Sequence, residues 1–312
     1  MKLLSIIIAA VLGLIYGQYN YGFLFTSDIC LFAGLTLIMP TLFKVKLTDI
    51  TLIFEYKMLM LKGLVINYII LPAIAIGIGL LTNNFGVAAG LFLLSVLSGG
   101  GMVMHWIKRS HADTSIGFIL LFINVTFVML SLLMLHIFGL YTSEYFGESY
   151  ASEVNISNFA KTVIYLLIII PFIASRIIIF ITPLKEFISS KQSYISNISI
   201  FLIVFYLFGL QSSQLLFELY DFEPELIYIS FIAVILFYIA IFVLAKVAYN
   251  LDSPQEGAAF WHSVTRYITL ALVISTFSIS SFGVAMLVPI MFAYIIQIPF
   301  AILIDKYMFK AV

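Results

Sequence analysis

Residues 91–109 read Leu-Phe-Leu-Leu-Ser-Val-Leu-Ser-Gly-Gly-Gly-Met-Val-Met-His-Trp-Ile-Lys-Arg, an apolar run cut by Gly99, Gly100 and Gly101. Each glycine weakens a helix by about 1 kcal/mol relative to alanine, so a helix laid over this stretch breaks in its middle. Broken backbone inside a bilayer persists only where it is buried in protein or lines a cavity. Close helix packing is the other reading of the glycines, because small residues line membrane helix interfaces. A run of three favours the break.

The bilayer itself follows from composition. Of 312 residues, 63% are hydrophobic and 10% charged, against about 25% charged in soluble domains, and the mean hydropathy is +1.17. A crossing helix needs about 20 apolar residues, and ten candidate spans emerge, at about 3–17, 28–43, 63–81, 85–107, 114–140, 160–182, 194–216, 226–248, 257–279 and 282–305. The first follows Lys2 as a signal peptide does but lacks a small-residue cleavage site, so it reads as a retained span. Lys2, Lys44, Lys46, Lys57, Lys62, Lys108, Arg109, Lys185, Lys191, Lys246, Lys306 and Lys310 fall on one side. Asp28, Glu144, Glu148, Glu153, Glu218, Asp221, Glu223 and Glu225 fall on the other, with Lys161 at a span edge there. The positive-inside rule then puts both termini in the cytoplasm of a multi-pass inner-membrane protein.

Five spans precede the polar 141–158 connection and five follow it. Because five is odd, the two halves run in opposite directions, the arithmetic of an inverted repeat. The expected fold is therefore an all-α polytopic membrane protein of ten transmembrane helices, residues 1–140 and 159–312 forming five-helix repeats about an extracytoplasmic 141–158 connection. The break in span four has a counterpart in span nine, at His262-Ser263-Val264-Thr265-Arg266. Paired interruptions at corresponding positions point to a binding site at the membrane midplane.

Arg266 carries the most information. If span nine begins near Gly257, Arg266 lies about 13.5 Å deep at 1.5 Å per residue, where a guanidinium costs at least about 2.5–3.5 kcal/mol. Every Asp and Glu lies at a span end or in a loop, which leaves an anionic substrate, backbone carbonyls or chloride as partner. The alternative starts span nine at Tyr267 and leaves Arg266 in the cytoplasm. His105 and His262 flank the two breaks and are candidates for proton coupling. Asn67 and Asn124 lie inside spans three and five, where cross-helix hydrogen bonding is the other role for each; Gln297 and Pro299 in span ten invite the same reading. Ser98, Gly99, Gly100, Gly101, Thr265 and Arg266, with Asn67 and Asn124, form the candidate substrate site. The single cysteine, Cys30, excludes a disulfide framework and a Cys-built metal site. No Walker loop or His-Glu-x-x-His motif appears, so ATP-driven pumping is excluded, and neither metal nor cofactor is expected. A net charge of zero offers nothing to nucleic acid; the partners are a small-molecule or anion substrate and the lipid bilayer.

Three stretches carry a family resemblance: MPTLFKVKL (39–47) followed by NYIILP (67–72); GGGMVMHW (99–106) with Asn124 beyond it; and TFSISSFGVA (276–285) with IIQIP (295–299). Together they resemble the bile acid:sodium symporter superfamily, closest to its arsenical-resistance permease branch. The resemblance implies ten spans, a panel domain moving against a core domain, and crossed discontinuous fourth and ninth helices. The chain departs from it at the site. The arsenite branch has a cysteine where Gly99 stands. The sodium-coupled branch holds cations at the positions of His262, Arg266, Val103, Met104, Gly117 and Leu121, leaving Asn67 as an oxygen donor. The expectation is a non-enzymatic secondary transporter of a small anionic solute, sodium-independent because Arg266 occupies the cation site. An arsenite efflux permease and a non-transporting receptor or scaffold are the alternatives.

Overall fold

The structure, a computed structural model, describes residues 3–19, 51–100, 102–150, 165, 169–213 and 224–309. The expected span at 28–43, Cys30, Lys161 and Gly101 lie outside them. Among the described residues the regular structure is helical, apart from one isolated backbone bridge.

Helix α1 covers Leu3–Tyr19, α2 Lys57–Leu81, α3 Phe85–Val96 and α4 Val103–Arg109. Helices α5 (Thr114–Thr126) and α6 (Val128–Thr142) meet at a 47° bend. Next come α7 (Ile170–Phe180), α8 (Thr182–Ser190), α9 (Gln192–Ser213) and α10 (Pro224–Ala248). Helices α11 (Pro254–Val264) and α12 (Ile268–Phe277) are separated by residues 265–267. Helix α13 (Leu287–Ile304) runs into a π turn at Asp305–Phe309.

Three helices, Lys57–Leu81, Pro224–Ala248 and Leu287–Phe309, are long and apolar enough to cross a membrane, and the bent α5–α6 pair makes a fourth crossing if counted as one span. A 25-residue helix is about 37 Å long at 1.5 Å per residue, more than the roughly 30 Å hydrocarbon core. Leu81, Phe180 and Val247 are each more than 80% exposed, a surface suited to lipid tails.

Local chemistry sets several boundaries. Asn84 caps α3 by accepting from Val87 N at 3.0 Å, and Asp113 caps α5 by accepting from Ser115 N and Ile116 N at 2.8 and 3.0 Å. Such caps satisfy amide groups that a first helical turn leaves unpaired. In α2, Pro72 lacks an N–H and its ring crowds the carbonyl four residues back, that of Tyr68. The helix widens into a π turn over Ile66–Ile70 just before it, and that turn carries Asn67.

Helix α3, all twelve residues buried, is the hub: α2, α6, α10, α12 and α13 all pack on it. Helix α1 instead packs along α9. A Cβ at Gly13 would collide with the carbonyl of Phe205 and lie 3.0 Å from Gly209 N, so glycine is what lets those two backbones touch. Away from the hub's own residues, Lys62 of α2 pairs with Glu256 of α11 at 3.0 Å, and Arg109 of α4 with Asp305 at 2.6 Å.

Candidate functional site: the crossing of two interrupted helices

The interruptions at 97–100 and 265–267 meet. Ser98 and Arg266 form an antiparallel bridge, with Tyr267 N donating to Leu97 O at 2.9 Å and Gly99 N to Thr265 O at 2.8 Å and His262 O at 3.1 Å. Backbone released from two helices is thus satisfied by the other's released backbone, as buried amides require. Gly99 has φ +69° and Gly100 φ +154°, conformations that glycine adopts without the steric cost of a side chain. A Cβ on Gly100 would also lie 3.2 Å from Tyr267 Cα.

Arg266 sits at the centre, 2% exposed. One terminal nitrogen donates to Ser95 O at 3.0 Å; the other donates to Asn67 Oδ1 at 2.9 Å and to the carbonyl of Ser263. Ser95 lies in the last turn of α3 and Ser263 in the last turn of α11. The guanidinium therefore joins the negative ends of two helix dipoles, where a cation is stabilised. Among the described residues no carboxylate pairs with it. Of the partners foreseen for Arg266, backbone carbonyls are the ones found, joined by the Asn67 amide oxygen, and the side chain is buried within the protein.

Side-chain amides complete the arrangement. Asn67 Nδ2 donates to Gly63 O at 2.8 Å and Ser263 Oγ at 3.3 Å, which leaves Oδ1 facing Arg266. Gln297 on α13 accepts from Arg266 N at 2.6 Å and donates to Arg266 O at 3.2 Å, serving a peptide that has left the helix. Tyr238 on α10 donates to the same Gln297 oxygen at 2.8 Å, and the Tyr249 hydroxyl meets Ser263 Oγ at 3.1 Å. His262 contacts Gly117 O through Nε2 at 2.9 Å and Asn124 Nδ2 through Nδ1 at 3.0 Å. Thr265 Oγ1 turns back to Trp261 O at 2.7 Å, closing α11.

Of the candidate residues, Asn67, Ser98, Gly99, Gly100, Asn124, His262, Thr265 and Arg266 come together here, and Gly101 lies outside the described residues. His105 does not join them: it is exposed on α4, edge-on to Trp106 at 5.2 Å. Ser95, Ser263, Tyr238, Tyr249 and the full role of Gln297 were not foreseen. An amide in an otherwise apolar helix was a usable signal for Gln297; no sequence signal marks Tyr238, one aromatic among many. A cavity of about 420 Å³ lies beside the Lys62–Glu256 pair, lined by residues including Glu55, Tyr56, Lys62, Gln255 and Glu256. Outside the span, burial pushes the Glu256 carboxyl up, but the Asn250 N–H and the Lys62 ammonium outweigh it and hold the group below the ordinary carboxylate range.

Compared with known families, the chain matches the one described as Sodium Bile acid symporter family over residues 32–217, more than half of its length. No curated protein matches it.

Proposed function

The chain belongs to the sodium bile acid symporter family, and from that membership we propose that it carries a small anionic solute by alternating access without sodium, Arg266 serving as a tethered cation. It is a multi-pass membrane transporter by family and by its apolar helices. The finer reading has ten spans in two inverted repeats, 1–140 and 159–312, both termini in the cytoplasm, in a cell inner membrane. Asn67, Ser98, Gly99 to Gly101, Asn124, Thr265 and Arg266 form its site.

One observation carries the proposal: the guanidinium between the terminal carbonyls of α3 and α11 and the Asn67 amide oxygen. Hard cations take oxygen ligands of this kind. With a fixed positive charge already on them, a sodium ion meets both occupied ligands and repulsion. The two negative helix ends are thereby neutralised, while the positive N-terminal end of α12 at the same crossing is not, and that imbalance favours an anion.

The test needs no identified solute. A cation that binds only the folded state stabilises it by about 2.7 kcal/mol at a hundred times its dissociation constant. The melting temperature of the protein in nanodiscs is expected to be the same in sodium, potassium and choline chloride. A rise specific to sodium sinks the proposal.

The same burial of Arg266 favours a second reading, a non-transporting receptor or scaffold, because both terminal nitrogens of the guanidinium already have internal oxygen partners and only Nε lacks one. Asn124→Cys, in a chain with Cys30→Ser, separates the two. A carrier exposes that cysteine to impermeant reagents from both membrane faces in turn; a scaffold exposes it to one face or neither.

A further inference from the structure

We infer that His262 is a positioning residue that holds the Asn124 carboxamide with its nitrogen on the imidazole and its oxygen turned away from it, giving the site a fixed hydrogen-bond acceptor. This deepens the carrier reading, on which only the use of that acceptor rests. Gly117 O lies 2.9 Å from His262 Nε2, and a carbonyl can only accept, so Nε2 carries a proton. In the neutral ring, Nδ1 then presents a lone pair, and the group 3.0 Å away is the Asn124 amide nitrogen, a donor. The two bonds thus fix one tautomer and one amide orientation together. The Asn124 oxygen, on the other arm of a planar group, is directed away from the ring. Asn124 is half-buried, and among the described residues its oxygen makes no hydrogen bond.

Gly99 belongs to the same device. A Cβ there would stand 2.5 Å from His262 Nδ1 and 3.3 Å from Asn124 Nδ2, so any other residue at the break would push apart the pair that sets the amide. An imidazolium would place an N–H against an NH2 group, or roll the amide over and reverse the polarity it presents. The role this geometry gives His262 is that of a fixed orienter rather than a proton carrier. A solute reaching Asn124 meets an acceptor and binds there through an O–H or N–H of its own; a bare carboxylate oxygen is turned away from this point.

The elements around α11 carry Lys62 on α2, His105, Lys108 and Arg109 on α4, Asp113 at the head of α5 and Tyr238 on α10; Arg266 follows on its own chain. The test is a nitrogen-15 imidazole spectrum of the full chain in nanodiscs between pH 6 and 8. Among four histidines, one is expected to stay neutral throughout with its proton on Nε2, and to vanish in His262→Asn. In Asn124→Asp, an oxygen replaces the amide donor and the His262 ring is expected to gain a second proton. Should that variant not fold, Asn124→Leu is expected to move the Nδ1 resonance to the position of an unbonded acceptor. A wild-type proton on Nδ1, titration of His262 within the window, or an Nδ1 signal indifferent to both Asn124 variants overturns the inference. None of these outcomes bears on sodium-dependent melting, so this inference and the tethered cation fail separately.

Discussion

Two arginines in this chain solve the same problem differently. Arg109 has its Nε 2.6 Å from an Asp305 carboxylate oxygen, and its side chain is 43% exposed; its guanidinium also lies over the Trp106 ring at 5.9 Å. Arg266 is 2% exposed and has carbonyl and amide oxygens for partners. Where water reaches one member of an ion pair, a full negative charge opposite is tolerable. In the interior a buried carboxylate would add its own desolvation cost, which can exceed the attraction it brings. A helix C-terminus supplies roughly half a negative charge without any ionised side chain, and two of them match one guanidinium. The difference accounts for a buried arginine between α11 and α12 that, among the described residues, has no carboxylate to meet it.

That comparison predicts its own largest effect. Arg266→Gln leaves the ends of α3 and α11 facing each other without a cation, and a loss of about 3–5 kcal/mol is expected, as when one partner of a buried pair is removed. Unfolding in nanodiscs measures it. In the same variant, sodium is expected to raise the melting temperature where it leaves the wild type unmoved. A variant as stable as wild type would show that the carbonyls need no cation at all.

Gly99→Ala probes the backbone that brings the two ends together. It forces a Cβ onto φ +69° and to 2.5 Å from His262 Nδ1, and a left-handed non-glycine residue costs about 1–2 kcal/mol before any clash. A total near 2–3 kcal/mol is expected, below the Arg266 effect because the cation stays in place. Arg109→Gln is expected to cost less again, about 1–2 kcal/mol: it strips a charged hydrogen bond from Asp305, 2% exposed, while the arginine it removes was already half in water. Denaturation midpoints rank the three variants, and an Arg109 effect equal to that of Arg266 would erase the distinction between the two settings.

What the sequence disclosed divides along the same line. Three consecutive glycines and an arginine in an apolar run are rare enough to stand out, and they marked the two breaks and the centre of the crossing. The helix starts at Phe85 and Thr114 were readable from where the apolar runs begin, whereas the caps that fix them, Asn84 and Asp113, were not. The third expected span, begun at residue 63, starts at Lys57, because a hydropathy reading stops at Lys62 although its ammonium is held by Glu256 at the helix edge. Partners were not legible. Ser95 and Ser263 act through backbone oxygens, which every residue has, and Gln297 reaches Arg266 across 31 positions. His105 and His262 look equivalent in sequence, each beside a break, and only the direction each side chain takes separates a buried orienter from an exposed ring.

The smallest expected effect lies at the surface pair on the far side of Arg109's class. Lys62 and Glu256 have side chains 37% and 29% exposed, a setting in which an ion pair contributes about 0.2–1 kcal/mol and weakens with salt. Glu256 is held below the ordinary carboxylate range, the opposing push of burial being outweighed by the Asn250 N–H and Lys62. A folded-state value lower than the unfolded one means that the unfolded chain takes up the proton first. The contribution is therefore complete above the ordinary value of 4.5 and fades as pH falls through and below it. Glu256→Gln is expected to cost a few tenths of a kcal/mol at pH 7 and nothing well below the folded value, with the gap closing in high salt. Arg266, whose partners do not titrate, is expected to keep its full effect across the same pH range and at any ionic strength. Melting curves of the two variants at pH 7 and pH 4, with and without salt, set the surface pair against the buried cation directly. A salt-sensitive Arg266 effect would mean that water reaches the crossing, and the two settings would then differ in degree rather than in kind.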